Sequence, residues 1–331
     1  MDKDPTKRMT HSDALIREAV GKPGFNVFHM LPCGSDNTDK SQLKILTVTG
    51  DLDSAMADLV GDLAAYRPGG KGLIFEGGGD SEFDRSFVGA VFAAELSGIN
   101  LISGANKVRV KALHEILERA YQRGDLPTKF YAVVDRDSPS LQEEAKAINR
   151  FMWDVYHVEN YLLNPEIILS VMKVLKVKSL NSPAEILTAL EVAAHKAVAP
   201  LISHRLRSYA NEVLVGAINL GYSPSAQPAS KELHGAVTRS IDRIAVNLGD
   251  SLSEAALAAK EDHFRQEVDA SFANSDWLKV IPGREILKQF IQTYKIPVSY
   301  EVLRNLLVGK MVETGFKPNG MSEIISKIQA D

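Results

Sequence analysis

Residues 71–80 read Lys-Gly-Leu-Ile-Phe-Glu-Gly-Gly-Gly-Asp: an apolar run closes on Glu76, and three glycines separate that acid from Asp80. The run over Gly72–Phe75 is short and apolar, as a buried strand is. The glycines let the chain turn sharply and let a bulky ligand approach the backbone. A nucleotide-phosphate loop needs GxxxxGK[ST], whose Lys and hydroxyl complete the site. "EGGGDSEF" lacks that Lys, "GANKVRV" at 104–110 lacks the spacing, and no Walker A motif occurs elsewhere. The stretch therefore reads as a strand end that presents acids, and the fold follows from what surrounds it.

Downstream, "EFDRSFVGAVFAAEL" has helical spacing, with Phe83, Phe87, Val91 and Leu96 near one face. "INLIS" is a second strand. "VRVKALHEILERAYQRG" is a helix that Gly124 terminates. "KFYAVVD" is a third strand, ending at Asp135. Strands alternating with helices predict an α/β fold with a mainly parallel sheet flanked by helices. Upstream, a helix ("SDALIREAV"), two strands ("FNVFHML", "LKILTV") and a helix from Leu52 to Ala65 are expected, with "YRPGGKG" as a linker. After about residue 178 the chain reads as mostly helical, through 185–218, 231–272 and a turn-plus-helix at "IPGREILKQFIQTY". Three regions follow: 1–66, 70–178 and 179–331.

Composition narrows the function. Hydrophobic content of 45% and charged content of 24% are those of an ordinary globular protein. No run of 18 apolar residues stands out, and "MDKDPTKRMTHSD" lacks a signal-peptide core, so a cytoplasmic protein without a membrane span is expected. One cysteine, Cys33, excludes an internal disulfide and a multi-cysteine zinc site. A net charge of −4 argues against whole-surface nucleic-acid binding but leaves room for a local basic groove.

The acids recur at strand ends. In "VVDRDSP", Asp135 and Asp137 flank Arg136, and alternate side chains of an extended segment share a face. Two or three hard oxygen donors suit Mg²⁺ or Mn²⁺. Alone, D-x-D is most often a solvated loop. In "WDVYHVENYLLNPE", a strand-like run precedes Glu159, which either joins the acids or interacts with the dipole of the helix it opens. Asp154 and His157 are lesser candidates, since a lone His beside a strand is more often structural. Lys107 in "NKVRVK" is the candidate cation at a strand-to-helix junction, while Arg109 and Lys111 fit a solvated face equally well. Arg136 is an alternative partner for one of the aspartates.

Taken together, Glu76-Gly77, Asp135/Asp137 and Asp80, four residues after Glu76, resemble the Glu-Gly, D-x-D and EGxxD pattern of the TOPRIM domain. This is the metal-binding fold of topoisomerases, bacterial primases and OLD-family nucleases. "HVENYLLNPE" resembles a segment of TOPRIM proteins in ATPase-controlled bacterial defence systems, including AriB-like nucleases of the PARIS system, and "IPGREIL" resembles a late segment there. The likeness covers about residues 70–175. At the N-terminus, "MTHSDALIREA" with the two strands after it resembles the end of an ABC-type ATPase, where His11 would match a histidine that contacts the γ-phosphate. Alternatively, Ser12 or Asp13 simply caps a helix. With no Walker A or B, the chain is expected to be the C-terminal part of a larger ATPase–TOPRIM protein.

The resemblance implies a Mg²⁺- or Mn²⁺-dependent endonuclease acting on DNA or RNA as part of anti-phage defence. Glu76, Asp135 and Asp137 would hold one metal, with Asp80 and Glu159 shaping or completing a second site. Glu76 is ligand or general base, and Lys107 offsets phosphate charge. An ABC-type ATPase domain or subunit is the implied partner, and self-association through the helices is open. The alternative is a non-catalytic regulatory module that docks an ATPase. A primase would need a zinc element and a basic template groove, and neither is visible.

Overall fold

A computed structural model describes residues 28–30, 43–45, 71–77, 82–104, 106–124, 126, 128–137, 148–221 and 228–331. The helices expected at 12–20 and 52–65, together with His11, Cys33 and Asp80, lie outside these residues. Two short strands, β1 (Phe28–Met30) and β2 (Leu43–Ile45), pair antiparallel with Phe28 opposite Ile45. The rest of the described chain is α/β: a parallel four-stranded sheet between helices, then a helical region.

The sheet is built from β3 (Lys71–Phe75), β4 (Ile99–Ser103), β5 (Phe130–Val134) and β6 (Arg150–Met152), in the order β4-β3-β5-β6. Central strands buried on both faces need continuous apolar sequence. β5, Phe-Tyr-Ala-Val-Val, is buried at every position, whereas edge strand β4 alternates. Helix α1 (Phe83–Val91) links β3 to β4, and helix α2 (Lys107–Gln122) links β4 to β5. Ile74, Ile102, Ala132 and Val134 share one face and pack with Val110, Leu113 and Leu117 of α2. The opposite face carries Leu101, which a Cβ on Gly89 of α1 would meet at 3.0 Å. The C-terminal helix α10 (Asn319–Ala330) returns to this sheet. Lys71 Nζ donates to the Ile328 and Gln329 carbonyls at 2.6 and 3.0 Å, and Tyr131 Oη donates to Asp331. Residues 71–134, 148–152 and 319–331 thus belong to one compact unit.

The second unit comprises Asp135–Asp137 and Trp153–Pro318. A 3₁₀ turn (Val158–Leu162) leads into α3 (Pro165–Val174), started by the side chain of Asn164 and by Pro165 at the first position. Helix α4 (Pro183–Ala217) is started by Ser182 and Pro183 in the same way. Then come α5 (Ala229–Gly249), α6 (Glu254–Ala273), the four-residue α7 (Trp277–Val280), α8 (Gly283–Tyr294) and α9 (Tyr300–Thr314). The alanine-rich face of α4 is core: Ala189, Ala193, Ala194 and Ala197 are buried, and α8 packs along this helix. By length and composition α4 is apolar enough to cross a membrane. It nevertheless carries Glu191 and Lys196 on its exposed side, the residue usage of a core helix.

Candidate functional site

The order β4-β3-β5 contains a reversal. From β3 the chain crosses to one neighbour, β4, and then back past β3 to the other, β5. In open α/β sheets this switch point, at the carboxyl ends of the strands, is where ligands bind. Phe75 of β3 is paired in register with Val133 of β5. The chain runs on from these strands into Glu76 and Asp135, the first and second acids expected from sequence.

Within the sheet unit, the exit of β3 is tied to the exit of β4. Gly104 N–H donates to the Phe75 carbonyl at 2.8 Å, and Ser103 Oγ donates to the Gly77 carbonyl. Gly104 has to be glycine, because a Cβ there would run into Val110 and stand 3.1 Å from the Phe75 oxygen. Two residues on, Asn106 caps α2, its Oδ1 accepting from Arg109 N–H at 3.0 Å. Lys107 is therefore the first residue of α2, with the positive end of the helix dipole behind it. Arg109 is exposed and Lys111 is half-buried on the same helix.

Within the helical unit, the D-x-D loop is pinned to Tyr156. Arg136 N–H donates to the Tyr156 carbonyl at 3.2 Å. This brings Asp137 Oδ2 to 3.9 Å from His157 Nε2. Burial pushes the His157 imidazole pKa below its ordinary value, against the opposing charges of Glu159 and Asp137. Burial pushes the Tyr156 phenol up, while Arg205, lying 5.9 Å from the ring centre, opposes this. Asp154 has a structural use: its carboxylate accepts from Tyr161 Oη at 2.6 Å and from Lys279 Nζ at 3.0 Å. Burial pushes its pKa up, but these two donors outweigh that and leave it lowered.

Comparison with protein-family models, curated proteins and solved structures returns no match. The site must be read from its own geometry.

Glu159 does not follow a strand. The strand in this region is β6, and Trp153–His157 form an irregular segment with Trp153, Val155 and Tyr156 buried. Glu159 lies in the first turn of the 3₁₀ element, is 2% exposed, and its Oε1 accepts from Arg284 Nη2 at 2.6 Å and Nε at 3.0 Å. Tyr300 Oη donates to the same oxygen at 3.4 Å, and burial together with the Glu159 charge pushes this phenol up to about 12. Arg284 loses some pKa to burial, but Glu159 more than restores it.

The residue beside it, Asn160, spends its whole amide. Nδ2 donates to the Leu278 and Ile281 carbonyls at 2.7 Å each, while Oδ1 accepts from Gly283 N–H at 2.9 Å and His157 N–H at 3.1 Å. Sequence reasoning did not assign Asn160, Arg284, Tyr300 or Arg205. The available signal was the "IPGRE" turn, which packs directly on the Glu159–Asn160 backbone.

Among the described residues, no three His, Cys, Asp or Glu side chains stand together at metal-binding spacing. Beside the D-x-D loop, Asp137 Oδ2 stands 3.9 Å from His157 Nε2.

Proposed function

We propose that the chain is a Mg²⁺- or Mn²⁺-dependent endonuclease hydrolysing phosphodiester bonds of DNA or RNA, controlled by an ABC-type ATPase partner in anti-phage defence. The observation that carries this reading is the switch point. The two central strands of a parallel sheet, paired at Phe75 and Val133, lead into Glu76 and into Asp135-Arg136-Asp137. The resemblance to TOPRIM nucleases stated above supports the same assignment. The donors are carboxylates, which fit a hard divalent ion.

In this reading Glu76, Asp135 and Asp137 would hold one ion, with Asp80 and Glu159 shaping or completing a second site. An ion held there would polarise a phosphate and lower the pKa of an attacking water. Glu76 either ligates or takes the proton of that water. Lys107, at the amino end of α2, meets the negative charge that builds on the phosphate. Glu159 is held by Arg284.

The test is cleavage of a plasmid and of tRNA with Mg²⁺ or Mn²⁺, by wild type and by Glu76→Ala and Asp135→Ala variants of unchanged circular dichroism. Each variant is expected to lose about 100-fold or more in rate. Full activity in both would sink the assignment. The alternative, an interaction module, is favoured by one feature of α5: Leu233, Val237, Ile241 and Leu248 are exposed at helical spacing. Cleavage by the isolated chain rejects it. Cleavage that begins only when the ATPase partner is added supports a regulated nuclease.

A further inference from the structure

We propose that His157 is a ligand of the divalent ion, sharing it with Asp137, and that this nitrogen donor makes the site prefer Mn²⁺ to Mg²⁺. The inference rests on the metal-site reading above and changes its ligand set, since the sequence had put the carboxylate of Glu159 in that neighbourhood.

The distance is the first argument. Asp137 Oδ2 and His157 Nε2 are 3.9 Å apart. A hydrogen bond between them would need about 2.7–3.2 Å. Two bonds of about 2.1 Å to a common ion span up to about 4.2 Å, so an ion fits between these atoms where a proton does not. Both side chains also stay open to the solution from which an ion arrives, at 26% exposure for His157 and 28% for Asp137.

The surroundings give the second argument. The pair joins residues 20 apart in the chain, and it does so through built contacts. Arg136 N–H on the Tyr156 carbonyl sets the D-x-D loop beside His157. The His157 main chain is fixed by its N–H on Asn160 Oδ1 and its carbonyl under Asn160 N–H at 3.0 Å. Asn160 is in turn saturated. The imidazole thus hangs from a rigid anchor, edge-on to the Tyr156 ring at 4.6 Å between centres. Glu159 has the opposite character: it is buried, and Arg284 and Tyr300 converge on its Oε1. A carboxylate already neutralised by a guanidinium is a poor ligand, while the imidazole faces the D-x-D loop.

The donor type gives the third. Mg²⁺ is bound almost wholly through oxygen, whereas imidazole nitrogen suits the transition ions. One His among carboxylates therefore shifts the balance toward Mn²⁺.

The experiment is pulsed electron paramagnetic resonance of Mn²⁺ added to the full chain, which detects a directly bonded ¹⁴N nucleus. Wild type is expected to show imidazole nitrogen coupling, and histidine labelled with ¹⁵N should convert the signal, which needs no variant. His157→Gln should abolish it, while His204→Gln, which alters a neighbouring histidine, should leave it. Calorimetric titration should show Mn²⁺ affinity falling about tenfold or more in His157→Gln, with a smaller change for Mg²⁺. Mn²⁺ bound without nitrogen coupling, or coupling retained in His157→Gln, overturns the His157 ligand and leaves the metal reading intact. Wild type that binds no Mn²⁺ overturns both.

Discussion

Gly283 shows how little freedom a single position has when two distant segments meet main chain to main chain. A Cβ at this residue would stand 2.6 Å from Asn160 N, 2.7 Å from Asn160 Cα and 2.8 Å from Glu159 C. These are backbone atoms, so no rotamer change relieves the clash. Gly283→Ala must lift α8 off the 3₁₀ turn and stretch the Gly283 N–H bond to Asn160. Overpacking of this kind costs about 1–3 kcal/mol, and thermal melting should show a fall of several degrees, about 2–4 °C per kcal/mol for a unit of this size. An unchanged melting temperature would show that the segments are not in contact. Arg284 allows a second test. Arg284→Ala leaves the Glu159 carboxylate buried without its guanidinium. Because the Arg284 side chain is itself 45% exposed, the loss should sit below the ~3 kcal/mol of a fully buried pair. Adding Glu159→Gln to that variant removes the stranded charge and should recover part of the loss in urea unfolding. A double variant weaker than Arg284→Ala alone would contradict this account.

At the scale of elements, helix α2 carries a buried base with a consequence for pH. His114 is 2% exposed, and burial first, then the charge of Arg150, pushes its pKa below 6.5. The folded pKa is thus lower than the unfolded one, so the unfolded chain binds the proton more readily. Stability from this group is complete above about pH 6.5 and is lost as pH falls toward the folded value. His114→Gln should therefore flatten the dependence of the urea midpoint on pH between about 7.5 and 5. An unchanged slope would place the sensitivity elsewhere. The same helix shows what was legible beforehand. Its stop at Gly124, which has a left-handed φ of 79°, was read from the sequence, whereas its cap at Asn106 and the Asn164-Pro165 and Ser182-Pro183 starts of α3 and α4 emerge only in the structure. β3, β4 and β5 were equally legible, because each is an apolar run between turn residues. β6 was not: Arg-Phe-Met is too short to show a period, and the aromatic run Trp153–Tyr156 imitated a strand because its side chains are buried without one. In the site, Glu76 and the D-x-D loop follow from strand ends. The Glu159–Arg284 pair bridges 125 residues, a separation that no local pattern reports.

At the scale of the whole molecule, the sheet unit is discontinuous, completed by the last helix of the chain. α10 buries Met321, Ile324, Ile325 and Ile328, and its end is held by Lys71, Lys129 and Tyr131 from β3 and the start of β5. Gln329 Nε2 also donates to the Glu95 carbonyl, in the segment between α1 and β4, at 2.8 Å. These contacts reach both central strands, so α10 acts on the strands whose ends carry Glu76 and Asp135. Burying one aliphatic side chain contributes about 1.5–3 kcal/mol, so four of them are comparable with the ~5–15 kcal/mol that stabilises a typical domain. Deleting residues 319–331 should therefore loosen the sheet rather than merely fray an end. Hydrogen exchange followed by mass spectrometry should show faster exchange in peptides covering β3 and β5, and the buried Tyr131 should become accessible to solvent quenchers. If β3 and β5 keep wild-type protection after the deletion, α10 is dispensable, and the sheet is stabilised by α1 and α2 alone.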